Sequence, residues 1–161
     1  MSLPVGIDHG AVTEIYATQV VPLGQVRHDE IANKDYEFVL TVDHDNVTYA
    51  ANKAVVQAST GQHEVTIDVS GGSASAGIHP RGTCVSVPTA TYPYCWVQVT
   101  GFASYVAGSA SIIDGDYLKP DATEDGDCDE ATEGTDENII GIAFGTTADN
   151  ATGTMKLAIR R

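Results

Sequence analysis

The chain has 161 residues, 42% of them apolar but only 7% aromatic, and its formal net charge is −14. This length suits one domain, or one domain with an added subdomain. Because an acidic surface repels phosphate backbones and anionic lipid, the composition argues against direct binding to nucleic acid or to a membrane surface.

The glycine content and the scarcity of long aliphatic residues are typical of strands and turns. We predict an all-β fold, a small β-barrel or sandwich domain with an irregular N-terminal arm and a long acidic loop. The arm covers residues 1–12 and the β-rich domain covers 13–161. The domain could divide into two subdomains, at about 13–70 and 83–161.

The N-terminal segment is predicted to be an irregular arm, because Pro4, Gly6 and Gly10 interrupt strand pairing. It lacks the basic and apolar regions of a signal peptide. No run of residues approaches the ~18 apolar positions that a membrane-spanning helix needs. We expect such an arm to become ordered only against a partner.

The strand signals follow at intervals of about ten residues, a spacing typical of small sandwiches and barrels. In the clearest strand, Tyr36, Phe38, Leu40 and Val42 alternate with Glu37, Val39 and Thr41. Residues 52–59 fit either a short helix capped by Asn52 or a strand. The other predicted strands are 13–22, 64–69, 83–87, 94–99, 104–106, 110–113, 139–145 and 153–161.

Three cysteines, Cys84, Cys95 and Cys128, cannot all pair within one chain. Cys84 and Cys95 flank a segment that could form a hairpin, so a disulfide between them is geometrically feasible. Buried free thiols are the favoured interpretation, because cysteine packs as a small apolar residue. No Cys-x-x-Cys spacing predicts a metal site.

Acidic residues concentrate near the C-terminal third. Eleven of the 22 acids lie between Asp114 and Glu137, opposed only by Lys119, so this window carries −10 of the net charge. Residues from Asp121 onward can be aligned with a calcium-binding EF-hand loop, with Asp121 at the first position. The twelfth position, where a bidentate Glu is needed, is then Thr132, and Glu133 comes one residue late. We therefore interpret residues 121–138 as a solvated acidic loop without a specific cation site.

Other candidate sites are weaker. Residues 70–77 (SGGSASAG) share only composition with a phosphate-binding loop and read as a connector. The histidines are scattered in predicted turns and would form a zinc or catalytic site only by tertiary convergence. They are His9, His28, His44, His63 and His79.

Two further features have structural interpretations. Asp114 and Asp116 bracket Gly115, a pattern that favours a hairpin corner over a pair of catalytic carboxylates. Trp96 lies on the strand face opposite Cys95 and Val97 and is predicted to anchor a core or an interface.

Two stretches of sequence together resemble the head decoration, or capsid cement, proteins of tailed bacteriophages. The first is PLGQVRHDEIANKDYEFVLTV at 22–42, with a Leu-Gly, a basic residue, an acidic turn and a tyrosine-led strand. The second comprises YCWVQVTGFASYVAGSASIIDGDYLKPDA at 94–122, IIGIAFG at 139–145 and GTMKLAIRR at 153–161. It resembles the C-terminal β-domain of that family.

The resemblance implies a structural virion protein that decorates the outer surface of a phage capsid and cements the shell by bridging capsomers. It implies the major capsid protein as partner, a homo-oligomer with a trimer favoured, and synthesis in the host cytoplasm. It brings no catalytic, metal-binding or cofactor-binding residues, and we expect no enzymatic activity and no cofactor.

Three alternatives stay open from the residues. One is another virion component, such as a tail or head-completion protein. A second is a non-viral extracellular β-type binding module with weak cation affinity. The third is a small hydrolase or isomerase, which would need histidine, serine or acidic groups gathered in one cleft.

Overall fold

The computed structural model describes residues 11–69, 79–108, 110–132 and 138–159. This part of the chain contains twelve strands and no α-helix. The strands are β1 (Ile15–Tyr16), β2 (Val26–Asp29), β3 (Lys34–Thr41), β4 (Ala54–Gln57), β5 (Glu64–Thr66), β6 (Pro80–Cys84), β7 (Tyr94–Gln98), β8 (Phe102–Val106), β9 (Tyr117–Pro120), β10 (Cys128–Glu130), β11 (Gly141–Phe144) and β12 (Thr152–Leu157). The predicted all-β class is confirmed.

Five strands of the first sheet close into a barrel in the order β3-β7-β6-β4-β5, with β5 returning to β3. β3 makes this closure possible because it is eight residues long: its first half pairs with β2 and its end pairs with β5, while its other edge pairs with β7. The β3–β5 pair is parallel, whereas the other pairs are antiparallel. β1 and β2 extend the barrel by pairing with β7 and β3.

Alternate side chains of β3 belong to two different apolar clusters, as the predicted alternation implies. Val39 faces the barrel interior, and Phe38 packs outside against Trp96 with ring centroids 5.1 Å apart. Tyr16, Val21 and other residues of the segment before β2 cover this outer cluster. The barrel interior contains Val39, Val47, Tyr49, Val55, Val65, Ile67, Cys84, Cys95, Val97 and Val99.

The second sheet has the order β10-β9-β11-β12-β8. It curls on itself, because a parallel bridge between Ala107 and Cys128 brings the chain after β8 to the opposite edge strand, β10. Its concave side encloses a separate core built on Tyr105, Ile112, Leu118, Ile140 and Met155. Ala54 of β4 also belongs to this core, so the barrel and the second sheet share a packed boundary.

The prediction of a solvated acidic loop is wrong for residues 121–130. Residues 128–130 form β10, which pairs with β9, and Asp121 and Asp127 are buried. The backbone N–H of Ala54 donates to the carbonyl of Gly126, and Lys53 forms an ion pair with Asp127. The start of this segment, residues 121–127, is therefore a packed turn between the two sheets. Residues 133–137 lie outside the described residues.

Most predicted strands are present, with shifted ends. Of the two interpretations of residues 52–59, the strand is confirmed as β4, and Asn52 occupies a turn with φ of 70°. Two predicted strands need correction. The strand predicted at 13–22 is only the two-residue β1. The strand predicted at 110–113 is only one bridge, between Ile112 and Thr147. The sequence analysis missed β2, β9 and β10.

The described parts of the chain include no helix long and apolar enough to cross a membrane. The change of sheet falls between Gln98 and Phe102, so residues 80–98 pair within the first sheet. Strand pairing does not define which part folds alone, and the predicted domain bounds stay a prediction. Most of the predicted arm, residues 1–10, and the connector 70–77 lie outside the described residues.

Candidate functional site

A cluster of charged side chains lies near one end of the barrel. Glu37 shares a face of β3 with the interior residue Val39, and His63 precedes β5 at the same parity as Val65. Arg81 follows the first residue of β6. Strand pairing thus brings together three groups that are far apart in the sequence.

Glu37 is the centre of this cluster and is only 4% exposed. Arg81 forms an ion pair through Nη2 with Glu37 Oε1, and His63 Nδ1 lies 3.0 Å from the same oxygen. Arg81 Nη2 and His63 Nδ1 are 3.4 Å apart. The two neighbours compensate a carboxylate that would otherwise be costly to bury.

Gly24 allows the chain before β2 to approach this cluster. Its φ is 79°, and a Cβ there would lie 2.3 Å from a ring carbon of His63. Its backbone N–H donates to the carbonyl of Phe38 at 2.8 Å. Only glycine combines this left-handed backbone with such close contact to the imidazole.

A half-open pocket of about 400 Å³ lies over the cluster. Its described lining residues are Gly24, Glu37, Gln57, His63, His79, Pro80, Arg81 and Ile159. The ionisable side chains of this lining are Glu37, His63, His79 and Arg81, and Arg81 pairs with Glu37 at the barrel end.

The sequence analysis did not predict this convergence, which joins His63 and His79 at one pocket. One signal was present: Glu37 occupies the Val39 face of an alternating strand, where an acid requires a partner. The other described histidines are separate. His28 Nδ1 lies 2.6 Å from Asp35, and His44 Nε2 lies 3.0 Å from the Thr41 hydroxyl.

The described residues contain no group of three His, Cys, Asp or Glu side chains placed to hold a metal ion. Two acids from the rejected calcium alignment have structural partners. Asp121 Oδ1 accepts hydrogen bonds from the backbone and hydroxyl of Thr123, and Asp125 Oδ1 accepts one from the backbone N–H of Val69. These aspartates organise the turn between the sheets.

The three cysteines are free and buried. Cys84 and Cys95 lie in the barrel interior, whereas Cys128 belongs to the core of the second sheet. Burial raises the pKa of the Cys95 thiol to about 12 and holds that of Cys84 well above its ordinary value. Thiols of this kind are poor nucleophiles at neutral pH.

Asp114 and Asp116 lie in a turn, but the predicted hairpin corner is wrong, because the turn does not connect two paired strands. Asp116 Oδ2 accepts the backbone N–H of Ile113, and Asp114 Oδ1 accepts that of Gly145, both at 2.8 Å. Both carboxylates stabilise backbone, and β9 pairs with β11 instead of β8. Trp96 is fully buried as an anchor of the outer cluster.

The turn between β2 and β3 presents an apolar side chain to solvent. Ile31 is fully exposed, while Asp29 Oδ1 accepts hydrogen bonds from the backbone N–H groups of Ile31 and Ala32, each at 3.0 Å. Asn33 adopts a φ of 51° and completes the turn. The exposed isoleucine is therefore held on an ordered projection.

Comparison with known proteins gives one informative likeness. No family model matches the chain, and no curated protein sequence matches it. Among solved structures, the fold is similar to the head fiber gp8.5 N base of bacteriophage phi29, with a TM-score of 0.52 and 15% identity. The match covers 78% of this chain and 95% of the phi29 chain. At this identity the likeness shows a shared fold.

Proposed function

We propose that this chain is a structural protein of a bacteriophage virion and that it decorates the outer surface of the head. The observation that supports this most is the shared fold with the phi29 head fiber base, which extends over 95% of that chain. The resemblance of residues 22–42 and of the C-terminal strands to capsid decoration proteins supports the same role. The cementing function, in which the protein bridges neighbouring capsomers, belongs to this proposal.

The charge distribution fits a position outside the shell. A net charge of −14 disfavours a lumen packed with DNA, because like charges repel. The same charge keeps the free protein soluble before it attaches to the outer surface. The partner is the major capsid protein, and the ordered projection at Ile31 is a candidate contact.

A second virion role is equally compatible with the fold. The phi29 neighbour is the base of a fiber, so the fold also suits a tail or head-completion protein that carries an attached structure instead of reinforcing capsomers. The two roles differ in stoichiometry and position. A cement protein occupies many equivalent sites between capsomers, whereas a tail or head-completion protein occupies one vertex.

The proposal is tested by mixing the purified protein with expanded, DNA-free heads of the virus that encodes it. We expect saturable co-sedimentation, and cryo-electron microscopy should place the density outside the shell at repeated positions between capsomers. Heads of an unrelated phage serve as the control. Failure to bind any mature head would overturn the proposal, and density at one vertex would replace cementing with the second role.

A further inference from the structure

In the described part of the chain, the convex face of the second sheet exposes apolar side chains. Antiparallel register aligns Phe102 of β8, Lys156 of β12 and Ile142 of β11 in one row, and Ser104, Thr154 and Phe144 in the next. We call the convex residues of these three strands the Phe144 face. Their neighbours in sequence, such as Ala103, Met155 and Ala143, point into the core.

Two aromatic rings dominate the Phe144 face. Phe102 is 48% exposed and Phe144 is 65% exposed. Their ring centroids are 5.4 Å apart in an edge-to-face arrangement that reaches across β12. Ile113 is also 59% exposed, and the next residue, Asp114, binds the backbone beside Phe144. Contiguous apolar exposure of this kind marks an interaction surface.

The two ends of this face carry opposite charges. Lys156 is the one charged residue in the sequences of β8, β11 and β12, although the chain carries −14. Exposed acids lie at the opposite end of the strands: Asp149 in the turn before β12, and Asp114 beside Gly145. Lys156 lies four residue steps along β12 from Thr152, a span of about 13 Å.

We infer that two copies of this chain associate through the Phe144 face around a two-fold axis. A basic end, an aromatic centre and an acidic end are self-complementary under this rotation. The axis sets the Phe144 side chains against each other and brings Lys156 of each copy to the Asp149 end of the other. The net charge of −14 opposes association, whereas this face is apolar at its centre and its end charges pair under the rotation.

This arrangement differs from the trimer that the family resemblance implies, and it does not depend on attachment to a phage head. The substitution Phe144→Ser tests the aromatic centre. We expect wild type to sediment as a concentration-dependent dimer and F144S to associate roughly tenfold more weakly. Val87→Ser, which removes an exposed apolar side chain outside the second sheet, is the matched control and leaves the dimer unchanged.

Charge exchange tests the two-fold register. Lys156→Glu and Asp149→Lys are each expected to weaken association, and the double variant to recover it, because the exchanged charges meet again across the axis. Circular dichroism of each variant verifies folding. A monomeric wild type up to about 1 mM, a stoichiometry other than two, or a double variant weaker than both singles would overturn the inference.

Discussion

Glu37 illustrates how one buried charge fixes the ends of three strands. Its carboxylate lies on β3, while its partners lie beside β5 and on β6. The side chain of Glu37 is 6% exposed, against 22% for Arg81 and 33% for His63. The cost of an unpaired charge is therefore greatest for the carboxylate.

We predict that Arg81→Met destabilises the protein more than Glu37→Gln does. The first change removes the guanidinium that pairs with the buried Glu37 carboxylate and should cost about 3 kcal/mol. The second frees a guanidinium that reaches water and should cost about 2 kcal/mol. Urea denaturation measures both. Glu30→Gln, at the exposed β2–β3 turn, is the control, and the reverse order would show that Arg81 is not the main counter-charge.

The buried thiols predict a loss of stability at alkaline pH. Burial raises the pKa of Cys95 from 9.0 to about 12. Between these values the unfolded chain has lost the thiol proton and the folded chain keeps it, so the free energy of unfolding falls as pH rises. Stability from this group is complete below pH 9.0 and declines toward about pH 12.

Urea midpoints measured at successive pH values check this prediction. Cys84→Ala/Cys95→Ala should show a shallower alkaline decline than wild type, because two of the groups with raised pKa are absent. Burial also raises the pKa of the Tyr49 hydroxyl, so part of the decline should persist. Identical slopes in wild type and the double variant would contradict the thiol contribution.

At the scale of elements, the turn at residues 121–127 holds the second sheet against the barrel. The Ala54–Gly126 backbone hydrogen bond, the Lys53–Asp127 ion pair and the Val69–Asp125 hydrogen bond all cross this boundary. The turn depends on Gly126, whose φ is 75°. A Cβ there would lie 2.8 Å from Lys53 Cβ and 3.2 Å from Ile67 Cβ.

Gly126→Ala should therefore lower the free energy of unfolding by about 3 kcal/mol, from backbone strain and steric contact together. Gly115→Ala is the matched control. Its φ is 91°, but a Cβ there meets nothing within 4 Å, so only the backbone strain applies. The difference between the two losses in the free energy of unfolding, measured by thermal or urea denaturation, gives the steric contribution at the boundary. Equal losses would show that the added methyl group meets no steric resistance there.

How far the sequence predicts these elements depends on their burial. β3 and β7 were predictable because both of their faces pack, so apolar residues alternate or run continuously. β2 reads Val-Arg-His-Asp and β10 reads Cys-Asp-Glu, and an edge strand of this composition resembles a loop. The need of Glu37 for a partner was predictable, but the identity of its partners was not, since strand pairing alone brings Arg81 and His63 to it.

At the scale of the whole molecule, the barrel and the second sheet are expected to unfold in one transition. Ala54 belongs to the second core, and the 121–127 turn bonds to β4. The single tryptophan, Trp96, reports on the outer face of the barrel, whereas Cys128 lies in the core of the second sheet. These two groups give independent probes of the two halves.

In the Cys84→Ala/Cys95→Ala background, Cys128 is the one remaining thiol. We expect its labelling by a thiol reagent and the fluorescence of Trp96 to change at the same urea concentration. Adding Lys53→Met leaves the buried Asp127 without its ion pair and should separate the two transitions. Two transitions already present before this change would show that the halves are not coupled.

The position of β12 between β8 and β11 has a mechanical consequence. β12 runs antiparallel between β8 and β11 and forms ladders with both. Hydrogen bonds in such ladders lie perpendicular to the strands. Tension along the backbone of β12, opposed at its neighbours, would load both ladders in shear at once instead of peeling them bond by bond. A load transmitted through this strand therefore has to break hydrogen bonds of two ladders together.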